Sequence, residues 1–146
     1  MKLSTHIFMA FALISAGLTS CKNDPEELNY TSLEAEYGCD DTRFMPVDIS
    51  ETYTVLHTQA DFDSLASGPC NPAIDFSAYD LVIGSKQLAG GNDSIEYHLY
   101  RTDEGQELQV TFHQNPALIS PIITYHALVP KLGDEETVSV EITVIQ

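Results

Sequence analysis

The sequence predicts an α+β chain in which β dominates: a twisted antiparallel sheet of about six strands, or a small sandwich, with one short helix. Three observations predict it. Apolar and polar residues alternate along most of the body, the period-two signature of half-buried strands. Clusters of Gly, Asp, Asn and Pro punctuate that alternation at short intervals. One stretch, between Thr58 and Gly68, changes to helical spacing. Of the 146 residues, 43% are hydrophobic and 19% charged, a balance that suits one globular domain better than a disordered acidic tail.

The N-terminus follows a different pattern. Lys2 supplies a positive charge, and Ile7 to Leu18 is apolar except for Ser15, the dimensions of a secretory signal and too short for a stop-transfer helix. Leu18-Thr19-Ser20-Cys21 then resembles the bacterial lipobox, in which a small residue precedes a cysteine that is lipidated on sulfur and becomes the first residue after cleavage. Residues 1–20 are therefore expected to be a signal peptide and Cys21 a lipid anchor of the palmitate kind. Two or three acyl chains would hold such a protein at a membrane effectively permanently, where one chain gives marginal binding. Residues 21–33 read as the lipidated cysteine and an acidic tether, because Lys22 to Glu27 is polar, carries Pro25 and has no apolar period. The same stretch is similar to the surface-export signal of Bacteroidetes lipoproteins, a lysine followed closely by acidic residues, although Asn23 and Pro25 interrupt it. The expectation is an outer-membrane lipoprotein of the cell envelope, facing the cell surface, with residues 34–146 as a single β-rich domain.

Within that domain, Glu51 to His57 reads as a strand. Thr58 caps the helix and Asp61 sits in its first turn; Phe62, Leu65 and Ala66 form one apolar face before Gly68-Pro69 ends it. Asp80 to Ser85 is a short, more continuously apolar strand. Ile95, Tyr97 and Leu99 oppose Glu96, His98 and Tyr100, and Leu108, Val110 and Phe112 oppose Gln109, Thr111 and His113. Thr102 to Gly105 joins these two strands as a hairpin, and aligning their apolar faces sets His98 across from Gln109. Ile122 to Val129 is a further strand. After a turn from Lys131 to Glu136, Val138, Val140, Ile142 and Val144 alternate in the last. Gly90-Gly91-Asn92-Asp93 tolerates positive φ, so the backbone there can reverse tightly or approach another chain closely. No lysine follows it and no helix begins there, which argues against a phosphate cradle.

Six Lys and Arg against 22 Asp and Glu give a formal charge of −16, which repels phosphate backbones and excludes nucleic acid as a partner. With Cys21 taken by lipid, Cys39 and Cys70 remain as an even pair in an oxidising compartment, and a disulfide between them is expected. On the chain-entropy model it would contribute about 3–4 kcal/mol. A catalytic thiol would need a base, and no histidine lies close to Cys70 in sequence. His57, His98, His113 and His126 invite a metal, yet on the aligned hairpin His98 and His113 share a face about 13 Å apart. All four read as exposed strand histidines, and neither metal nor cofactor is expected. Asp40-Asp41 and Asp134-Glu135-Glu136 lack the spacing of a calcium loop and read as solvated turns. No Gly-x-Ser-x-Gly elbow occurs, and carboxylate pairs are too numerous to inform, so no catalytic residue and no enzyme is expected. Asp63-Ser64-Leu65 and Asp93-Ser94-Ile95 resemble the Bacteroidetes O-glycosylation pattern, making Ser64 and Ser94 candidate glycan acceptors.

Five stretches stand in a fixed order: Ile74-Asp75-Phe76 ahead of Leu81-Val82-Ile83-Gly84, then Gly90 to Tyr97, then the strand Leu108 to Phe112, then Thr124 to Lys131 with its closing Pro130-Lys131. From about Asp61 to Val144 this order resembles the C-terminal domain of the protease-complex subunit PrcB and the small Bacteroidetes lipoproteins that share it. The resemblance implies a non-catalytic module that assists or stabilises a protease. The expectation is thus a membrane-tethered module that binds a protein partner through Gly90, Gly91, Asn92, Ser94, Glu96, His98 and Tyr100, by main-chain pairing at a sheet edge. The alternative is a small ligand or glycan on the outer sheet face, with Tyr97, Tyr100 and Tyr125 available to stack on a sugar.

Overall fold

The alternating segments become two sheets that share an apolar interior. The computed structural model describes residues 25–49 and 52–146; the expected signal peptide and Cys21 lie outside the described residues. The strands are β1 (Glu27–Leu28), β2 (Tyr53–Leu56), β3 (Tyr79–Gln87), β4 (Gly91–Thr102), β5 (Gly105–Asn115), β6 (Ile122–Pro130) and β7 (Thr137–Ile145). One sheet has the order β1-β4-β5-β7 and the other β2-β3-β6. Two short helices accompany them, α1 (Leu33–Tyr37) and α2 (Gln59–Leu65), with a 3-10 turn at Thr42–Phe44.

Between the sheets, Leu99, Leu108, Val110 and Phe112 meet Val82, Ile123, Tyr125, Ala127 and Val129. The other face of the smaller sheet carries Leu81, Ile83 and Leu128 against Leu33 of α1, Phe62 of α2 and Met45. Each large side chain so buried stabilises by about 1.5–3 kcal/mol. Because β3 and β6 are covered on both faces, their sequences run apolar with little alternation. The β-dominant sandwich with its short helix agrees with the expectation. Cys39 and Cys70 form the expected disulfide, with a Cα separation of 5.6 Å, tying the end of α1 to the loop after α2.

Local signals place the elements. At α2, Thr58 accepts from the Asp61 amide at 3.2 Å and donates to its carboxylate at 2.7 Å, which satisfies an orphan donor of the first turn. The β4–β5 hairpin closes with Thr102 across from Gly105, and its register sets His98 against Gln109 as the apolar alignment required.

Three features differ from expectation. β7 pairs with β5 in parallel, not antiparallel. The chain leaves β5, forms β6 in the opposite sheet and returns, and two reversals restore the original direction. The tether expected through residue 33 is folded from Glu26 onward: the Arg101 amide donates to the Glu26 carbonyl at 2.8 Å, Leu28 pairs with Leu99, and Leu33 is fully buried. α1 was not expected, because one turn with a single buried residue has no legible period; Ser32 caps it and Gly38, at φ 70°, ends it.

Two positions hold the smaller sheet to close tolerance. Gly84 lies beneath the Tyr125 ring, whose hydroxyl donates to the Thr52 carbonyl at 2.8 Å; a Cβ at Gly84 would collide with that ring and with Thr52. Asp80 is fully buried at the start of β3 and receives Lys131 Nζ at 2.6 Å, the Leu132 amide at 3.0 Å and His57 Nδ1 at 2.8 Å. Burial pushes the Asp80 carboxyl up, but the bonds from Lys131, Leu132 and His57 outweigh it and hold the group below the usual carboxylate range.

Asp80→Ala is expected to cost about 2–3 kcal/mol in urea denaturation at neutral pH, below the roughly 3–5 kcal/mol of a fully buried pair, because Lys131 reaches water. A depressed folded-state pKa gives stability that is complete above the ordinary Asp value, about 3.9, and is lost as pH falls through the folded value. The difference between wild type and Asp80→Ala is therefore expected to shrink in acid. Gly84→Ala is expected to destabilise by at least about 1–3 kcal/mol through overpacking.

Candidate functional site

A two-sheet sandwich leaves strand edges that must be covered or paired. On one side, β2 and β7 approach each other, and Tyr53 ties them by donating to the Val138 carbonyl at 3.2 Å. A cavity of about 360 Å³ remains there. On the other side, β4 and β6 face each other, and the segment after Pro25 passes between them. It pairs with β4 at Glu27 and Leu28, then crosses to β6, where Thr31 and Leu128 exchange main-chain bonds of 3.0 and 2.9 Å.

That crossing closes only one end of the seam. Antiparallel pairing makes alternate residues bond to opposite neighbours. Thr102 and Gly105 close the hairpin, so from Ser94 to Thr102, beyond the register shift after Asn92, even-numbered residues of β4 turn their main chain to β5, while Arg101 turns its amide to Glu26. By the same alternation Tyr97 and Ile95 turn their amide and carbonyl groups outward, past the last residue of β1. Among the described residues nothing pairs with them.

The outward edge borders a cavity of about 720 Å³ whose lining includes Tyr30, Glu34, Asp41, Thr42, Tyr97 and His126. Tyr97 lies across its floor, accepting from the His126 amide at 3.4 Å. Burial pushes the Tyr97 hydroxyl well above the ordinary tyrosine value, so it stays protonated. The Tyr30 ring packs against Tyr97 with centroids 5.9 Å apart.

The far wall is a polar network. His126 is buried, and its Nε2 lies 3.1 Å from both the Leu33 amide and a Glu34 carboxylate oxygen. One ring nitrogen accepts from the first when neutral or donates to the second when protonated, never both. Thr42 donates to the other Glu34 oxygen and sits 3.5 Å from His126 Nδ1. Burial pushes the Glu34 carboxyl up, but the hydrogen bonds from His126 and Thr42 outweigh it and hold it at about 2. The network docks α1 and the 3-10 turn onto β6 and leaves an ionised carboxylate at the cavity wall.

The residues expected to bind a partner divide. Gly90 and Gly91 are buried, without positive φ, and pack on Asn115 of the same chain, so the close approach they permit is internal. Asn92 turns inward too, donating to the Ser94 and His113 carbonyls. Ser94, Glu96, His98 and Tyr100 lie together on the outer face of β4, the last two with stacked rings. The main chain available for pairing belongs instead to Ile95 and Tyr97, whose apolar side chains had marked them as core. Ser64 and Ser94 are both exposed. Tyr125 is fully buried against Phe112, which withdraws it from any sugar-stacking surface.

The histidines also divide. His126 is buried, contrary to the expectation of an exposed strand histidine, because β6 is covered on both faces. His98 and His113 are joined by a carboxylate: Glu96 contacts them at 3.2 and 3.3 Å, and Glu27 contacts the other His98 nitrogen at 3.0 Å. Among the described residues, no set of three or more His, Cys, Asp or Glu side chains converges as a metal site needs. Asp134, Glu135 and Glu136 are exposed, with Glu136 accepting from the Gly133 amide at 2.8 Å.

No family model, curated protein or solved structure matches the chain. Both nitrogens of His98 face carboxylates, first Glu27 and then Glu96, and these bonds raise its pKa above the ordinary histidine value. The imidazolium is therefore favoured, and the contact is present below the ordinary value and lost as pH rises through the raised one. Glu96→Gln is expected to lower the His98 midpoint in an NMR titration; a wild-type midpoint at or below that of a free histidine would contradict the geometry.

Proposed function

We propose that the protein is an envelope lipoprotein, anchored to the outer membrane through Cys21, whose β-rich domain is a non-catalytic module binding an extended segment of a protein partner. The observation that carries this reading is the outward main chain of Ile95 and Tyr97 beside a cavity of about 720 Å³. Adding a strand to an exposed edge supplies main-chain bonds for affinity and places alternate side chains in a pocket for specificity. That the partner is a protease rests on the ordered sequence resemblance alone.

A small ligand or glycan in the same cavity is the second reading, favoured by the packed rings of Tyr30 and Tyr97 in its lining. On that reading Tyr97→Ala abolishes retention on a glycan array.

The anchor and the edge are tested separately. Cys21→Ala is expected to abolish incorporation of labelled palmitate and to move the protein out of the membrane fraction; persistent labelling would sink the lipidation assignment. A photo-crosslinking amino acid at Tyr30 is expected to give one discrete protein adduct in intact cells, while the same group at the exposed Ser77 gives none. Equal adduct patterns at both positions, or none at Tyr30, would remove the seam as the binding surface.

A further inference from the structure

We infer that the segment taken by the β4–β6 seam carries a lysine or arginine, whose cation seats beside Glu34 and Asp41 over the rings of Tyr30 and Tyr97. This rests on the edge-pairing reading above and names the chemistry of the occupant. A strand laid along Ile95 and Tyr97 sends alternate side chains in opposite directions, one set into the cavity and the other to solvent. The cavity side holds two carboxylates in its lining, Glu34 and Asp41, and one cation, Arg43, whose guanidinium lies 5.1 Å from the Phe44 ring centroid.

Glu34 is ionised and accepts from Thr42, and from His126 when Nε2 carries the proton, but a carboxylate has about four acceptor positions, so capacity remains. The adjoining outer face adds Glu27 and Glu96. Their field reaches the cavity mouth, since after burial these two are the causes that raise the Tyr30 hydroxyl pKa. Two tyrosine faces beside such carboxylates suit an ammonium or guanidinium. At longer range, a chain of net charge −16 repels acidic segments and steers basic ones inward. An anionic segment, phosphorylated or acidic, is repelled by that net charge and by both carboxylates of the lining.

The test uses the full chain in detergent and capped peptides of about seven residues, alternating threonine and valine, with lysine, alanine or glutamate at the centre. The lysine peptide is expected to shift the amide resonances of Ile95 and Tyr97 and to bind about tenfold more tightly than the alanine peptide, with no binding by the glutamate peptide. Asp41→Asn is expected to remove most of that preference, as is high salt. Asn tolerates the left-handed backbone at this position, φ 51°, so this variant remains folded even where Glu34→Gln loosens α1. Equal binding of all three peptides at Ile95 and Tyr97 would overturn the charge preference while leaving edge pairing intact. Resonances unmoved by any of the peptides would overturn both.

Discussion

The short crossing of the N-terminal segment from one sheet to the other governs what the rest of the molecule presents. Glu26 and Leu28 pair with β4, and three residues after Leu28 the chain is bonded to β6 at Leu128. An unpaired strand edge is a row of polar groups that must meet water, protein or a ligand. The crossing satisfies this row at Leu99, Arg101 and Leu128 and stops, so the edge becomes accessible at Tyr97. Had β1 continued for four more residues along β4, Ile95 and Tyr97 would be an ordinary interior ladder.

The same segment positions the walls of the cavity. Directly after Thr31 comes Ser32, which caps α1, and α1 delivers Leu33 to the core and Glu34 to His126. The disulfide then fixes the far end of α1 through Cys39. A covalent tie behind and a paired strand in front leave α1 little freedom, which is how a five-residue helix, far too short to be stable alone, is held in place. It also means that a lipid anchor on Cys21 would pull on a strand of the domain, with only the residues from Lys22 to Pro25 between the acyl chains and Glu26. The edge and its cavity would then stand near the membrane rather than on a long leash.

Elements with strong local chemistry were legible in the sequence. The hairpin register followed from aligning Ile95, Tyr97 and Leu99 with Leu108, Val110 and Phe112, and α2 followed from Thr58 and its apolar face. The disulfide followed from counting cysteines. What was not legible depends on pairs distant in sequence: Leu33 and His126 are 93 residues apart, and nothing local to either marks a contact. His126 looked exposed because alternation assigns polar residues to solvent, a rule that fails in a strand covered on both faces. The direction of β7 was hidden as well, since alternation is identical in parallel and antiparallel strands. At the site itself, side-chain character singled out Glu96, His98 and Tyr100, whereas the groups available for pairing are main-chain atoms of the residues between them.

Amide hydrogen exchange along β4 tests the central claim most directly, because it requires no ligand. The alternation of bonds predicts slow exchange at Glu96, His98 and Tyr100, which bond to β5, and exchange faster by orders of magnitude at Ile95 and Tyr97, with protection returning at Leu99 where β1 begins. Uniform protection from Ile95 to Arg101 would mean that the edge is already paired, and would contradict the account of the seam as a binding surface.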